Sequence, residues 1–84
     1  MDTLTKTVLD YIVREYIEEG DDRVVTPDTP LISGGIVDSF SMVSLKRFLE
    51  KKYSISIPDA DASPEAFDSV TKIAVLVRRF APNA

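Results

Sequence analysis

The sequence predicts an all-α protein: a bundle of three main helices plus one short helix, with a long loop between helices 1 and 2. Three observations lead there. Apolar residues recur at helical spacing in three separate stretches of the 84-residue chain. Helix-start residues stand before the later ones, Asp38-Ser39 and Asp68-Ser69. The one run that alternates like a strand, Ser54-Ile55-Ser56-Ile57-Pro58, is too short for a sheet and ends at a proline, so it reads as an extended link.

In the first helix Leu4, Val8, Ile12 and Tyr16 form an i, i+4 ladder, widened by Leu9 and Val13 into a broad apolar face. Its expected end is Gly20, after Glu18 and Glu19, whose carboxylates oppose the helix dipole there. Residues 21–37 then form a connection with Pro27, Pro30, Gly34 and Gly35. Loops beyond about 12–15 residues are uncommon in compact domains unless they serve a function. Val24, Val25, Leu31 and Ile32 are its expected anchors to the core.

The second helix starts at Asp38 or Ser39 and runs to about Tyr53, with Met42, Leu45, Phe48, Leu49 and Tyr53 on one arc. Phe40, Val43 and Arg47 fall outside that arc, on the flank towards Ser39. They form either a contact patch or, for Phe40, a cover over the end of the long loop. Ser63-Pro64-Glu65 has the order of a helix start: cap, proline at the first position, acid in the first turn. That helix can only be short, because a new cap follows at Asp68-Ser69. Val70, Ile73, Ala74, Val77 and Phe80 make the final helix, with Arg78 and Arg79 suited to its C-terminal end. Ala81-Pro82-Asn83-Ala84 is expected to fray.

Composition excludes much chemistry. There are no cysteines, hence no disulfides, thiolate nucleophiles or cysteine metal sites, and no histidines, the commonest general base and metal ligand. No apolar run approaches the roughly 18 residues of a membrane span, and Met1–Lys6 has neither a basic region nor an apolar signal stretch. The expectation is a single domain over residues 1–84, cytoplasmic, monomeric and not an enzyme. The net charge of −4 argues against nucleic acid as a partner. It is unevenly spread: residues 39–58 carry Lys46, Arg47, Lys51 and Lys52 against Glu50 alone.

The candidate site is Asp38-Ser39. A glycine loop, Ser33-Gly34-Gly35-Ile36-Val37, runs into Asp38-Ser39-Phe40 where the second helix begins. A helix start offers unpaired backbone N–H groups and the positive end of the dipole, about half a unit charge, so a phosphodiester on Ser39 sits in a favourable field. Asp38 as an N-cap and Ser39 as an ordinary first-turn residue is the plainer alternative.

Taken in order, these segments resemble the acyl carrier protein family, including its peptidyl and aminoacyl members. The resemblance covers nearly the whole chain: Gly35-Ile36-Val37-Asp38-Ser39-Phe40, Val43 and Leu45, Leu49-Glu50, Ile55-Ser56-Ile57-Pro58, Ser63-Pro64-Glu65-Ala66-Phe67, and the final Val70/Ile73 helix. It implies an acyl-carrier-like bundle in which Ser39 accepts 4′-phosphopantetheine from coenzyme A through a separate phosphopantetheinyl transferase. The arm would carry an acyl or aminoacyl group as a thioester to partner enzymes, which supply the catalysis. Asp38 would help orient the site for the transferase, and Gly35 would supply a tight turn. Partners implied are a loading ligase and downstream transferases.

One departure bears on the pathway. Carriers of bacterial fatty-acid synthesis have a strongly acidic second helix, whereas Ser41 and Ser44 stand here at expected acid positions and Lys46 and Arg47 are basic. Lys51 and Lys52 suit a helix end, but Lys46 and Arg47 are mid-helix, with Glu50 in reach to pair with them. This points to a specialised carrier rather than the housekeeping fatty-acid one, with Phe40, Val43, Lys46 and Arg47 as partner contacts. D-alanyl and other amino-acid carriers show a similar glycine-rich approach. Leu45, Leu49, Phe67, Val70 and Ile73 are candidates to line a cavity for an attached chain, against a default of close packing. The alternative function is an unmodified helical protein-interaction domain. A hydrolase built on Ser39 lacks a histidine to activate the hydroxyl.

Overall fold

The computed structural model describes residues 3–17 and 24–83. Among the described residues three helices follow one another: α1 Thr3–Tyr16, α2 Ser39–Tyr53 and α3 Val70–Phe80. The apolar ladders decide how they pack. Leu4, Val8 and Ile12 are buried along one side of α1, and Val70, Ile73, Ala74, Leu76 and Val77 on α3. Leu45 and Leu49 enter the same core from α2, and Leu31, Val37, Ile57 and Phe67 from the connections. Aromatic rings hold α1 to α2. Tyr11 stacks on Phe48 at 3.9 Å between centroids and meets Tyr16 edge-on at 6.0 Å.

The connections carry much of the tertiary hydrogen bonding. Ser54 ends α2 in a left-handed conformation at φ 54, which few non-glycine residues adopt, and its N–H donates to the Glu50 carbonyl. Glu50 then closes the link that follows, its Oε2 accepting from the Ile57 N–H at 2.8 Å. The expected pairing of Glu50 with Lys46 or Arg47 gives way to this contact. Lys46 instead reaches Asp59, Nζ to Oδ1 at 3.0 Å. Residues 55–58 form no helix or strand and link α2 to the turns that follow.

The segment read as a short helix from Ser63 is a run of turns. The N–H groups of Ala66, Phe67 and Asp68 donate three residues back, to Ser63, Pro64 and Glu65. Four or five residues give too few α-helical bonds to offset nucleation, so the tighter turn pattern prevails. Ser69, not Asp68, caps α3, its Oγ accepting from the Lys72 N–H at 3.1 Å. Ala81 packs on the core and donates its N–H to Val77, so the tail is ordered one residue further than expected.

The first helix ends at Tyr16 rather than near Gly20, with Ile17 already a bend; Glu18, Glu19 and Gly20 lie outside the described residues. So does the beginning of the long loop; its described part, Val24 to Asp38, contains no helix or strand. Val25, Leu31 and Ile32 anchor it to the core, but Val24 is 81% exposed. Among the described residues no helix is long and apolar enough to cross a membrane.

Candidate functional site

The glycine loop is a hydrogen-bonded turn, and the pattern explains its residues. The Ile36 N–H donates to the Leu31 carbonyl at 2.9 Å and the Gly35 N–H to that of Ile32 at 3.2 Å. This is the bonding of a Schellman turn, which places its fifth residue in the left-handed region. Gly35 is there, at φ +78, with open space where a Cβ would point. Gly35 thus meets the expectation of a tight turn through its own backbone. Gly34 is required for a different reason: a Cβ there would run into the carbonyl oxygen of Pro30. Val37, whose N–H also donates to Leu31 at 2.9 Å, is buried and pins the end of the loop.

Asp38 follows in an extended conformation as the N-cap of α2. Its Oδ1 accepts from the Ser41 N–H at 2.7 Å, and its carbonyl from the Met42 N–H at 2.9 Å. The Ser41 N–H holds the Asp38 carboxyl below the usual aspartate range, with the Ser41 side chain adding to the effect. Ser39 is therefore the first residue of α2, between two exposed neighbours, Asp38 and Phe40. From the far side the Tyr16 hydroxyl donates to the Ser41 carbonyl at 3.1 Å and ties the end of α1 to this first turn. Burial, together with the neighbouring Tyr11 phenol, raises the Tyr16 hydroxyl above its ordinary value.

Sequence reading missed the residue that holds the loop. Asp68 comes 36 positions after Ile32, and its Oδ1 accepts the N–H groups of Ile32 at 2.9 Å and Ser33 at 2.8 Å. The Ser33 Oγ donates to the same carboxylate, 2.9 Å from Oδ2, and the Asp68 carbonyl accepts from Leu31 at 2.7 Å. The Ser33 N–H, first among several contacts, holds the Asp68 carboxyl below its usual range. Only its place beside the capping Ser69 marked it in the sequence.

Both depressed carboxylates stabilise the fold in one pH direction. Their contribution is in place above the unfolded aspartate value of about 3.9 and is lost as pH falls through the lower folded values. The melting temperature should therefore be level from pH 7 to about 5 and fall below about 4. Asp68→Asn should melt lower at neutral pH and lose less on acidification, read by thermal melts across that range.

The expected partner contacts separate into two kinds. Phe40 is 88% exposed, so it does not cover the loop, and Val43 and Arg47 are exposed beside it on α2. Lys46 is half-buried and engaged with Asp59. Leu45, Leu49, Phe67, Val70 and Ile73 are all fully buried in one close-packed cluster. A groove of about 360 Å³ lies between the 63–66 turns and α3, lined by Thr71, Lys72 and Val75 among others, with no residue of the Gly34–Val43 segment. Among the described residues no cluster of acidic, histidine or cysteine side chains is placed to hold a metal ion. No protein-family model matches the chain, and no curated protein does.

Proposed function

We propose that this chain is a carrier protein, with Ser39 as the attachment point for 4′-phosphopantetheine. The observation that carries the reading is the placement of Ser39 as the first residue of α2, beside an exposed cap and at the end of a hydrogen-bonded glycine loop. The residues present suit a phosphodiester: on Ser39 it would stand at the positive end of the α2 dipole. The Asp38 charge stands beside it but is already committed to the Ser41 N–H. When bound, the group supplies a terminal thiol that holds an acyl or aminoacyl cargo as a thioester. The chain's own residues present Ser39 to a transferase and give partner enzymes a surface to dock on.

That surface is Phe40, Val43 and Arg47, which share a stripe along α2. Its apolar half near Ser39 and basic half beyond favour partners with an apolar pocket and acidic rim, supporting a specialised pathway over a housekeeping fatty-acid one. Arg47→Glu should raise the KM of a loading enzyme for this carrier several-fold and change priming by the transferase less. Equal responses would remove the distinction between the two partners. The charge of Lys46 is engaged with Asp59, so reversing it would change that surface pair as well as any docking.

The direct test is intact-protein mass after incubation with coenzyme A, magnesium and a broad-specificity phosphopantetheinyl transferase. Addition of one phosphopantetheine is expected. A folded protein that gains no mass would leave the unmodified interaction domain as the better reading.

A further inference from the structure

We infer that Asp68 is a positioning residue for modification at Ser39, acting through the loop it clamps; the inference rests on the carrier reading. The N–H groups of Leu31, Ile32 and Ser33 all end on Asp68, the first on its carbonyl and the next two on Oδ1. These residues open the Schellman turn whose closing bonds return to Leu31 and Ile32. Asp68 therefore caps a turn that is remote from it in the chain, as an N-cap carboxylate does for a helix. Three residues on, Thr71 grips the same loop upstream. Its N–H donates to the Pro27 carbonyl at 3.0 Å, and its Oγ1 lies 3.1 Å from that carbonyl and 3.3 Å from Asp28 Oδ1.

The path from clamp to site is short. From the turn, only Val37 separates Ile36 from Asp38, and Val37 is itself buried and bonded to Leu31. With both the turn and Val37 held, the direction in which the chain enters Asp38-Ser39 is set from the start of α3. α2 itself does not depend on the clamp, because Asp38 caps it locally and Tyr16 braces its first turn. Loss of Asp68 should therefore free the approach to Ser39 without melting the helix that bears it.

The reaction concerned is displacement at phosphorus. The Ser39 hydroxyl oxygen bonds the phosphorus that bears pantetheine, the pyrophosphate bond of coenzyme A breaks, and adenosine 3′,5′-bisphosphate leaves. The hydroxyl proton passes to a base of the transferase or to solvent. For a transferase that docks on the loop and the first turn together, a loop in its docked form for a tenth of the time raises the apparent KM about tenfold.

The test pairs two readouts on the full chain, wild type, Asp68→Ala and Asp68→Asn. Amide hydrogen exchange in Asp68→Ala should quicken by a clearly larger factor at Ile32, Ser33 and Gly35–Val37 than in the cores of α1 and α3, which should quicken only as far as the lower melting temperature requires. Steady-state priming should show a KM about tenfold higher for Asp68→Ala with kcat within twofold, and Asp68→Asn, which keeps an acceptor oxygen, should recover part of both effects. Unchanged exchange in the loop, or priming at the wild-type KM, would overturn the clamp. So would exchange that quickens by the same factor in the loop and throughout α1 and α3, since Asp68 would then serve only the stability of the whole fold. Wild type that is never primed would instead overturn the carrier reading, a result separable from the clamp because exchange requires no modification.

Discussion

Ser39→Ala is expected to abolish phosphopantetheine uptake while moving the melting temperature by no more than about 3 °C. The first half follows from chemistry: without the hydroxyl there is no oxygen to bond phosphorus. The second follows from the way α2 begins. Asp38 supplies the cap through its 2.7 Å contact with the Ser41 N–H, and Tyr16 anchors the Ser41 carbonyl, so the helix start is held by residues on either side of Ser39. Alanine is also at least as good a helix former as serine, by about 0.5 kcal/mol at most. Intact mass and a thermal melt on the same samples check both halves. A large fall in melting temperature would make Ser39 a structural residue. Mass gained by the variant would move the attachment to another hydroxyl, with Ser41 and Ser44 the nearest along α2.

The parts of this fold legible in the sequence are those whose forces act locally. Leu4, Val8 and Ile12 lie one turn apart, and the helix geometry alone puts them on one buried side. Leu45 and Leu49 were readable for the same reason, and the exposure of Phe40 and Val43 follows from their place off that arc. Asp38 was readable as a cap because its partner is three residues away. Contacts across longer separations left no local mark. Asp68 looked like half of a helix start because it stands beside Ser69, yet its carboxylate belongs to a loop 35 or 36 residues earlier. Lys46 and Glu50 looked like partners on one helix, but each finds a better one in residues 57–59, where the chain turns back past α2. The short helix at Ser63 failed on length: its start signals were sound, and the chain had too few residues before Ser69 to use them.

Phe67→Ala is expected to cost about 3–5 kcal/mol, a loss this chain can barely survive. Phe67 is fully buried and is the largest side chain in a core that also receives residues from all three helices. Domains near this length have about 4–12 kcal/mol of stability in all, so the melting temperature should fall by about 12 °C or more. The hole would also open beneath the clamp, since Phe67 immediately precedes Asp68 and its N–H closes the turn from Pro64. Loop residues Ile32 and Ser33 should therefore lose protection together with the core, unlike in Asp68→Ala, where they should lose more than the core does. Phe40→Ala is the matched control. It removes the same ring from an 88% exposed position and should change stability by less than about 0.5 kcal/mol. A thermal melt of the two variants separates a phenylalanine that holds the fold from one that faces outward. A fall of less than about 5 °C in Phe67→Ala would mean that the core repacks around the gap, and that the turns carrying Asp68 are held by their hydrogen bonds rather than by the ring below them.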